Sequence, residues 1–230
     1  MGYNISTMYI WRNFNGDCEC PMCKIKQKIE CDIADSHLSE AVMEDNEREM
    51  VNKYGFCEKH YDLLYSGKNK LGLALQISTR LTAIEKLLKS TPDIKKAVKV
   101  AELIKENTTD CIICRKIEYH MVRYYETVAR LYNDDEKFRS AFTTIKGFCM
   151  PDFIRLLEVS KKAGKHAEEY INILFEKQRE SLISLNEDLK EFTLAFDYRS
   201  KSLPSKSASV SLVKSYIKLY GDKPIPPERK

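Results

Sequence analysis

Two short cysteine motifs occur twice in this chain. Cys20-Pro21-Met22-Cys23 is followed, 34 residues after its second cysteine, by Gly55-Phe56-Cys57-Glu58-Lys59-His60. Cys111-Ile112-Ile113-Cys114 is followed, 35 residues after its second cysteine, by Gly147-Phe148-Cys149-Met150-Pro151-Asp152. The first motif repeats at an offset of 91 and the second at 92, and Tyr61/Phe153 and Leu64/Leu156 keep the offset of 92. Two matched blocks with one residue of slippage read as an internal duplication.

The chemistry this spacing suits is metal ligation. Two cysteines separated by two residues can turn both sulfurs toward one ion, and a second pair three positions apart on the first turn of a helix completes a tetrahedron. A helix N-terminus also favours the thiolate form that ligation needs. Gly55 and Gly147 stand where the chain needs a permissive backbone before entering a helix, and Pro151 fits a first helical turn. If each copy builds its own site, Cys20, Cys23, Cys57 and His60 form one zinc site, and Cys111, Cys114, Cys149 and Asp152 form the other. Asp152 leaves three readings open: a carboxylate ligand, a helix cap without a metal contact, or a position left to water or substrate. Three cysteines with a labile fourth ligand also suit an iron–sulfur cluster. Cys18 and Cys31 have no counterparts in the other copy and read as small apolar packing residues. His37, His120 and His166 lie outside the repeat as well.

These ligands must be positioned by helices. The chain has 230 residues, 43% apolar and 31% charged, with 8 Gly, 7 Pro and 8 Cys. Low glycine and proline disfavour a turn-rich all-β fold. A chain this long owns a core without a disulfide framework. Leu73, Ile77, Leu81, Ile84 and Leu88 line one helical face. Thr91-Pro92-Asp93 reads as the start of a second helix with Ile94, Val98, Ala101 and Ile104 inward. A third runs from Cys114 to Tyr132 with Ile117, Met121, Tyr124, Val128 and Leu131 on one stripe. Leu182, Leu185, Leu189, Phe192 and Phe196 form a heptad-like seam suited to a long partner helix. The fold expected is an all-α helical bundle built from an internal duplication, each half pinned by its own metal site. One helical metal-binding domain is expected over residues 1–199, with repeat halves at about 15–90 and 106–165 and a long helix at about 167–198. A basic linker and C-terminal tail are expected over 200–230.

The motifs, taken together, resemble an uncharacterised family of helical bacterial proteins, frequent in anaerobes, with paired Cys-Pro-x-Cys and Gly-Phe-Cys-x-x-His motifs. The resemblance extends to Val42-Met43-Glu44, Asn52-Lys53-Tyr54, the run Asn69-Lys70-Leu71-Gly72-Leu73-Ala74-Leu75, and Phe196-Asp197-Tyr198-Arg199. It implies a helical fold with paired sites and no settled activity. Ile112 and Asp152 depart from the family's pattern, replacing a proline and a histidine.

Charge sharpens the function classes. The net charge is +4, but residues 201–230 hold seven Lys/Arg against Asp222 and Glu228, which leaves 31 basic and 32 acidic residues before them. A near-neutral body does not present the clustered cations that nucleic-acid binding requires. No apolar run is long enough to span a membrane and no secretory pattern opens the chain, so a cytoplasmic address with reduced thiols is expected. Phosphate-binding glycine loops, dinucleotide fingerprints and nucleophile elbows are missing. The expected function is a zinc-binding helical protein whose sites are mainly structural, meeting an unknown protein partner as a scaffold. The alternative is a metal- or thiol-dependent enzyme using the site that contains Asp152.

Overall fold

The computed structural model describes residues 5–14, 18–88, 93–196 and 203–222. They form α1 (Ile5–Asn13), α2 (Pro21–Leu38), α3 (Asp45–Tyr54), α4 (Glu58–Ser66), α5 (Lys70–Leu87), α6 (Ile94–Thr109), α7 (Ile112–Asp134), α8 (Glu136–Phe142), α9 (Met150–Glu158), α10 (Ala167–Ala195), α11 (Lys206–Ser209) and α12 (Ser211–Tyr220). Short 3₁₀ segments occupy Glu40–Val42 and Ser160–His166. No strand occurs among the described residues, in keeping with the all-α expectation. Met1-Gly2, Thr91-Pro92, Asp197-Tyr198-Arg199 and the prolines after Lys223 lie outside the described residues.

The chain divides into two compact units, Lys28–Met121 and Met1–Gln27 with Val122–Lys230. Both divisions fall inside helices, α2 and α7, and neither coincides with an edge of the repeat halves or of a domain ending at 199. The unit borders follow which helices pack, and sequence similarity does not govern that.

In the unit Lys28–Met121, α3 packs on α5 and α6. Asn69 caps α5 by accepting from the Gly72 N–H at 2.9 Å. The apolar stripe expected on α5 is buried only at Leu73, while Leu81 and Leu88 are exposed. The buried side instead carries Leu73, Gln76 and Arg80, with Gln76 donating to the His37 carbonyl and Arg80 to the Asn52 carbonyl. At 1.5 Å per residue the 10-residue α3 is too short to cover the 18-residue α5, so periodicity marks a face that packing covers only in part. The helix start expected at Thr91 comes two residues later: Asp93 is the N-cap of α6, accepting from the Lys96 N–H at 2.8 Å. The inward face expected there is overturned: Ile94 is 93% and Val98 67% exposed.

The other unit is built on aromatic packing. Phe14 from the end of α1 meets Phe138 and Phe142 of α8 with ring centroids 5.2 and 5.7 Å apart, and Phe148 lies 5.9 Å from Phe142. Tyr132 of α7 sits edge-on to Tyr170 of α10 at 5.1 Å. Each such pair adds about 0.5–1.5 kcal/mol beyond its buried area. The α7 stripe is buried as expected at Ile117, Met121, Tyr124 and Val128. The seam of α10 is not: Leu185 is buried, whereas Leu182 and Phe196 are exposed, because α10 packs on α9, α11 and α12 and not on one long helix. The stretch read as linker and tail therefore contains two helices that pack on α10, with Ala208, Ser211 and Lys218 buried.

Candidate metal centres

Every expected ligand lies at a helix start. Cys20 and Cys23 flank the first residues of α2, and Cys111 and Cys114 those of α7. Cys57 and Cys149 are the N-cap residues of α4 and α9, both in extended backbone, and neither side chain caps its helix. Their thiols are thus free to point elsewhere, at the positive end of a helix dipole. The glycines two residues upstream do what their positions suggested: Gly55 has φ +68° and Gly147 φ +105°. Ile112 has its own reason to differ from proline, since its N–H donates to the Gly55 carbonyl at 3.0 Å, a bond proline could not make.

The eight residues gather into two groups of four, but not the two groups the repeat suggested. Cys57, His60, Cys111 and Cys114 form one group, and Cys20, Cys23, Cys149 and Asp152 the other; within each, the donor atoms all lie within 4.8 Å of one another. The Cys-x-x-Cys of each copy meets the Gly-Phe-Cys segment of the other copy. Each group falls wholly within one compact unit: the His60 group in Lys28–Met121, and the Asp152 group in the remainder. The picture of each repeat half pinned by its own site is corrected accordingly.

The helices that follow each cysteine pair are long. α2 has 18 residues and carries the chain about 27 Å away from the first pair, and α7 has 23 residues and runs about 35 Å from the second. Each motif therefore meets whatever the far end of its helix is packed beside, and nearness in sequence does not decide that.

In the His60 group, Nδ1 of the imidazole lies 3.2 Å from the Cys57 sulfur and 3.3 Å from those of Cys111 and Cys114. Nε2, on the far side of the ring, is 2.8 Å from Glu30 Oε1, and Lys59 pairs with the same oxygen at 2.5 Å. Burial raises the Glu30 carboxyl, but its bonds to His60 and Lys59 outweigh that and hold it down at about 2. Burial lowers His60, and the Cys111 and Glu30 hydrogen bonds overcome this to bring it to about 9. Burial raises Cys111 too, yet the bond to His60 brings it to about 6. Cys114 is pushed up to about 12 by burial and by the neighbouring charge of Cys111. Cys111 and His60 are buried, Cys57 is half-buried and Cys114 is exposed.

In the second group all four residues are buried. Asp152 Oδ2 lies 3.1, 3.3 and 3.0 Å from the sulfurs of Cys20, Cys23 and Cys149, and Oδ1 accepts from the Tyr125 hydroxyl at 2.6 Å. Hydrogen bonds from Cys149 and Cys20 draw Cys23 down to about 2, while burial holds Cys20 and Asp152 up. The end of α12 closes over this group. The Asp222 N–H donates to Cys23 Sγ at 3.3 Å, and Asp222 pairs with Lys24 at 3.6 Å. Lys218 is 2% exposed, its Nζ has no hydrogen-bond partner among the described residues, and it lies within electrostatic reach of Cys20, Cys149 and Cys23.

The donor sets fit a single ion. Metal–sulfur bonds of about 2.3 Å in a tetrahedron put sulfurs about 3.8 Å apart. Cys57–Cys114 and Cys20–Cys149 are 3.8 Å apart and Cys23–Cys149 3.6 Å. The buried, unpaired Lys218 fits as well. Three thiolates and a carboxylate around a dication leave two net negative charges, which a nearby ammonium and two helix N-termini offset.

The chain belongs to a family of unknown function, DUF6062, which matches residues 1–225. Nothing matches it among curated proteins or among solved structures. Membership agrees with the resemblance carried by the cysteine motifs. No helix among the described residues is long and apolar enough to cross a membrane.

The repeat pointed to all eight grouped residues and left Glu30, Tyr125 and Lys218 unmarked. Glu30 follows Cys23 by seven residues and Tyr125 follows Cys114 by eleven, so no shared offset could flag them. Lys218 looked like one more charge of the basic tail. Cys18 and Cys31 stand outside both groups, as do His37, His120 and His166. His37 is buried, with Nδ1 3.4 Å from Gln76 Oε1.

Proposed function

We propose that this is a zinc protein in which each compact unit is organised around one ion, the metal serving structure and the helical surface serving a protein partner. The observation that carries the reading is the orientation of His60: its Nδ1 faces three thiols while a carboxylate holds its Nε2, the outer partner that fixes tautomer and ring direction in histidine–metal sites. Each ion joins two helix starts that are distant in sequence, α2 to α9 and α4 to α7. Such a site supplies folding free energy directly. Sulfur separations of 3.6–3.8 Å favour one ion over an iron–sulfur cluster, whose several iron and sulfide atoms would have to sit between the thiolates. Burial of all four residues of the Asp152 group speaks against an open catalytic position there. The exposed Ile94 and Val98 on α6 support the partner role. Cross-pairing of matched motifs further supports descent by internal duplication.

Elemental analysis and an absorption spectrum of protein purified without oxygen test this. Two zinc ions per chain and no visible absorption are expected, with loss of helical circular dichroism when a strong chelator strips the metal. Iron with broad visible absorption, or metal-free protein with unchanged structure and thermal midpoint, would overturn it.

A further inference from the structure

The two groups differ in how their sulfurs meet solvent. The Asp152 group is buried throughout and lies under the end of α12, where the Asp222 amide is bonded to Cys23. The His60 group has one exposed edge. Cys114 is exposed, Cys57 is half-buried, and their sulfurs are 3.8 Å apart. Cys114 also lines a surface cavity of about 600 Å³ together with Met50, Ile112, Arg115, Lys116 and Tyr119. A reagent dissolved in water reaches one sulfur edge and is kept from the other group.

We propose that the Cys57/Cys114 edge is a modification site for hydroperoxides, and that its oxidation expels the ion of the His60 group while the ion of the Asp152 group stays. This rests on the zinc reading above and assigns the His60 site a regulatory chemistry. A metal-bound thiolate keeps its nucleophilic lone pairs, and accessibility decides which sulfur reacts. The Cys114 thiolate attacks one peroxide oxygen; the O–O bond breaks, hydroxide leaves and Cys114 becomes a sulfenic acid. The Cys57 thiolate then attacks the Cys114 sulfur, the S–S bond forms, the S–O bond breaks and a second hydroxide leaves. Two thiolates have lost two electrons, hydrogen peroxide has gained them, and zinc stays divalent throughout. The sulfurs must close from 3.8 Å to the roughly 2.05 Å of a disulfide. That leaves His60 and Cys111 as two ligands, too few to retain the ion.

The test uses zinc-loaded full-length protein carrying Cys31→Ser, which removes the exposed thiol outside the two groups. Hydrogen peroxide is added in increments, zinc release is followed with a chromogenic chelator, and disulfides are mapped without reduction. One ion per chain is expected to leave roughly tenfold faster than the other, with Cys57 joined to Cys114 and with zinc rebinding after thiol reduction. Release of both ions at one rate, earlier loss from the Asp152 group, or a mapped disulfide lacking Cys114 would overturn the proposal and leave the two-zinc reading standing. Protein that binds no zinc before peroxide is added would overturn both.

Discussion

Glu30 Oε1 lies 2.8 Å from His60 Nε2, behind the ring whose other nitrogen faces Cys57, Cys111 and Cys114. A carboxylate in that place orients the imidazole and raises its donor strength. Glu30→Gln keeps the size and weakens that support, so the His60 group should hold its ion about 10- to 100-fold less tightly. Chelator competition should resolve one weakened site and one unchanged site per chain. Equal affinities in variant and parent would show that Glu30 only pairs with Lys59.

The same pair, with Cys111, sets different pH behaviour with and without metal. In the metal-free protein Glu30 is depressed to about 2, so its contribution is present above the ordinary carboxylate value of 4.5 and is lost as pH falls toward 2. His60 is raised to about 9, so its contribution is full below 6.5 and is lost as pH rises through 9. Cys111, brought from 9.0 to about 6, gains over the same range what His60 loses, so metal-free stability should stay nearly level between pH 6.5 and 9. Zinc-loaded protein should gain stability there, because rising pH deprotonates the ligands and tightens binding. Urea unfolding at several pH values, with and without chelator, compares the two slopes; parallel slopes would contradict the arrangement.

Asp152 and Tyr125 allow a graded test of the second group. Asp152→Ala removes the oxygen that lies within 3.3 Å of three sulfurs and should reduce the zinc content from two ions to one. Tyr125→Phe removes only the hydroxyl that donates to Oδ1 and should cost about tenfold in affinity at that site alone. If Asp152→Ala still binds two ions tightly, the carboxylate only accepts from its neighbours and does not ligate.

Which residues meet was legible in the sequence, and how they pair was not. The duplicated motifs marked all eight donors because a repeat keeps ligand types at fixed spacing. Pairing depends on the path of the long helices α2 and α7 that follow each cysteine pair, and the motifs do not contain it. The α7 stripe was readable from Ile117 to Val128 because that side is buried along its length. The stripes on α5 and α6 misled because a period marks a face without naming what covers it, and Gln76 and Arg80 hold the buried side of α5 through hydrogen bonds. In the C-terminal stretch the helical spacing of Val213, Tyr216, Ile217 and Tyr220 leaves a short helix open, but charge arithmetic assigns Lys218 to solvent, and it is among the most buried polar residues of those described.

That lysine gives a prediction in which stability and metal affinity part. Lys218 is 2% exposed and its Nζ has no hydrogen-bond partner among the described residues. Burial pushes the amine below its ordinary value, against the pull of Cys20 and the other acidic groups near it. Without metal only Cys23 of this group is drawn down, while Cys20, Cys149 and Asp152 are held up, and the burial of an ammonium there remains a net cost. Lys218→Met fills similar volume without charge, so metal-free protein should gain about 1–3 kcal/mol of stability. With zinc bound, three thiolates and a carboxylate leave the centre doubly negative, and the same substitution removes its nearest buried cation. Zinc should then bind roughly tenfold more weakly at the Asp152 group, a loss of about 1.4 kcal/mol. The rise in thermal midpoint on adding zinc should therefore be smaller in the variant than in the parent. An equal zinc-induced rise in both would mean that Lys218 serves packing and not the charge of the centre.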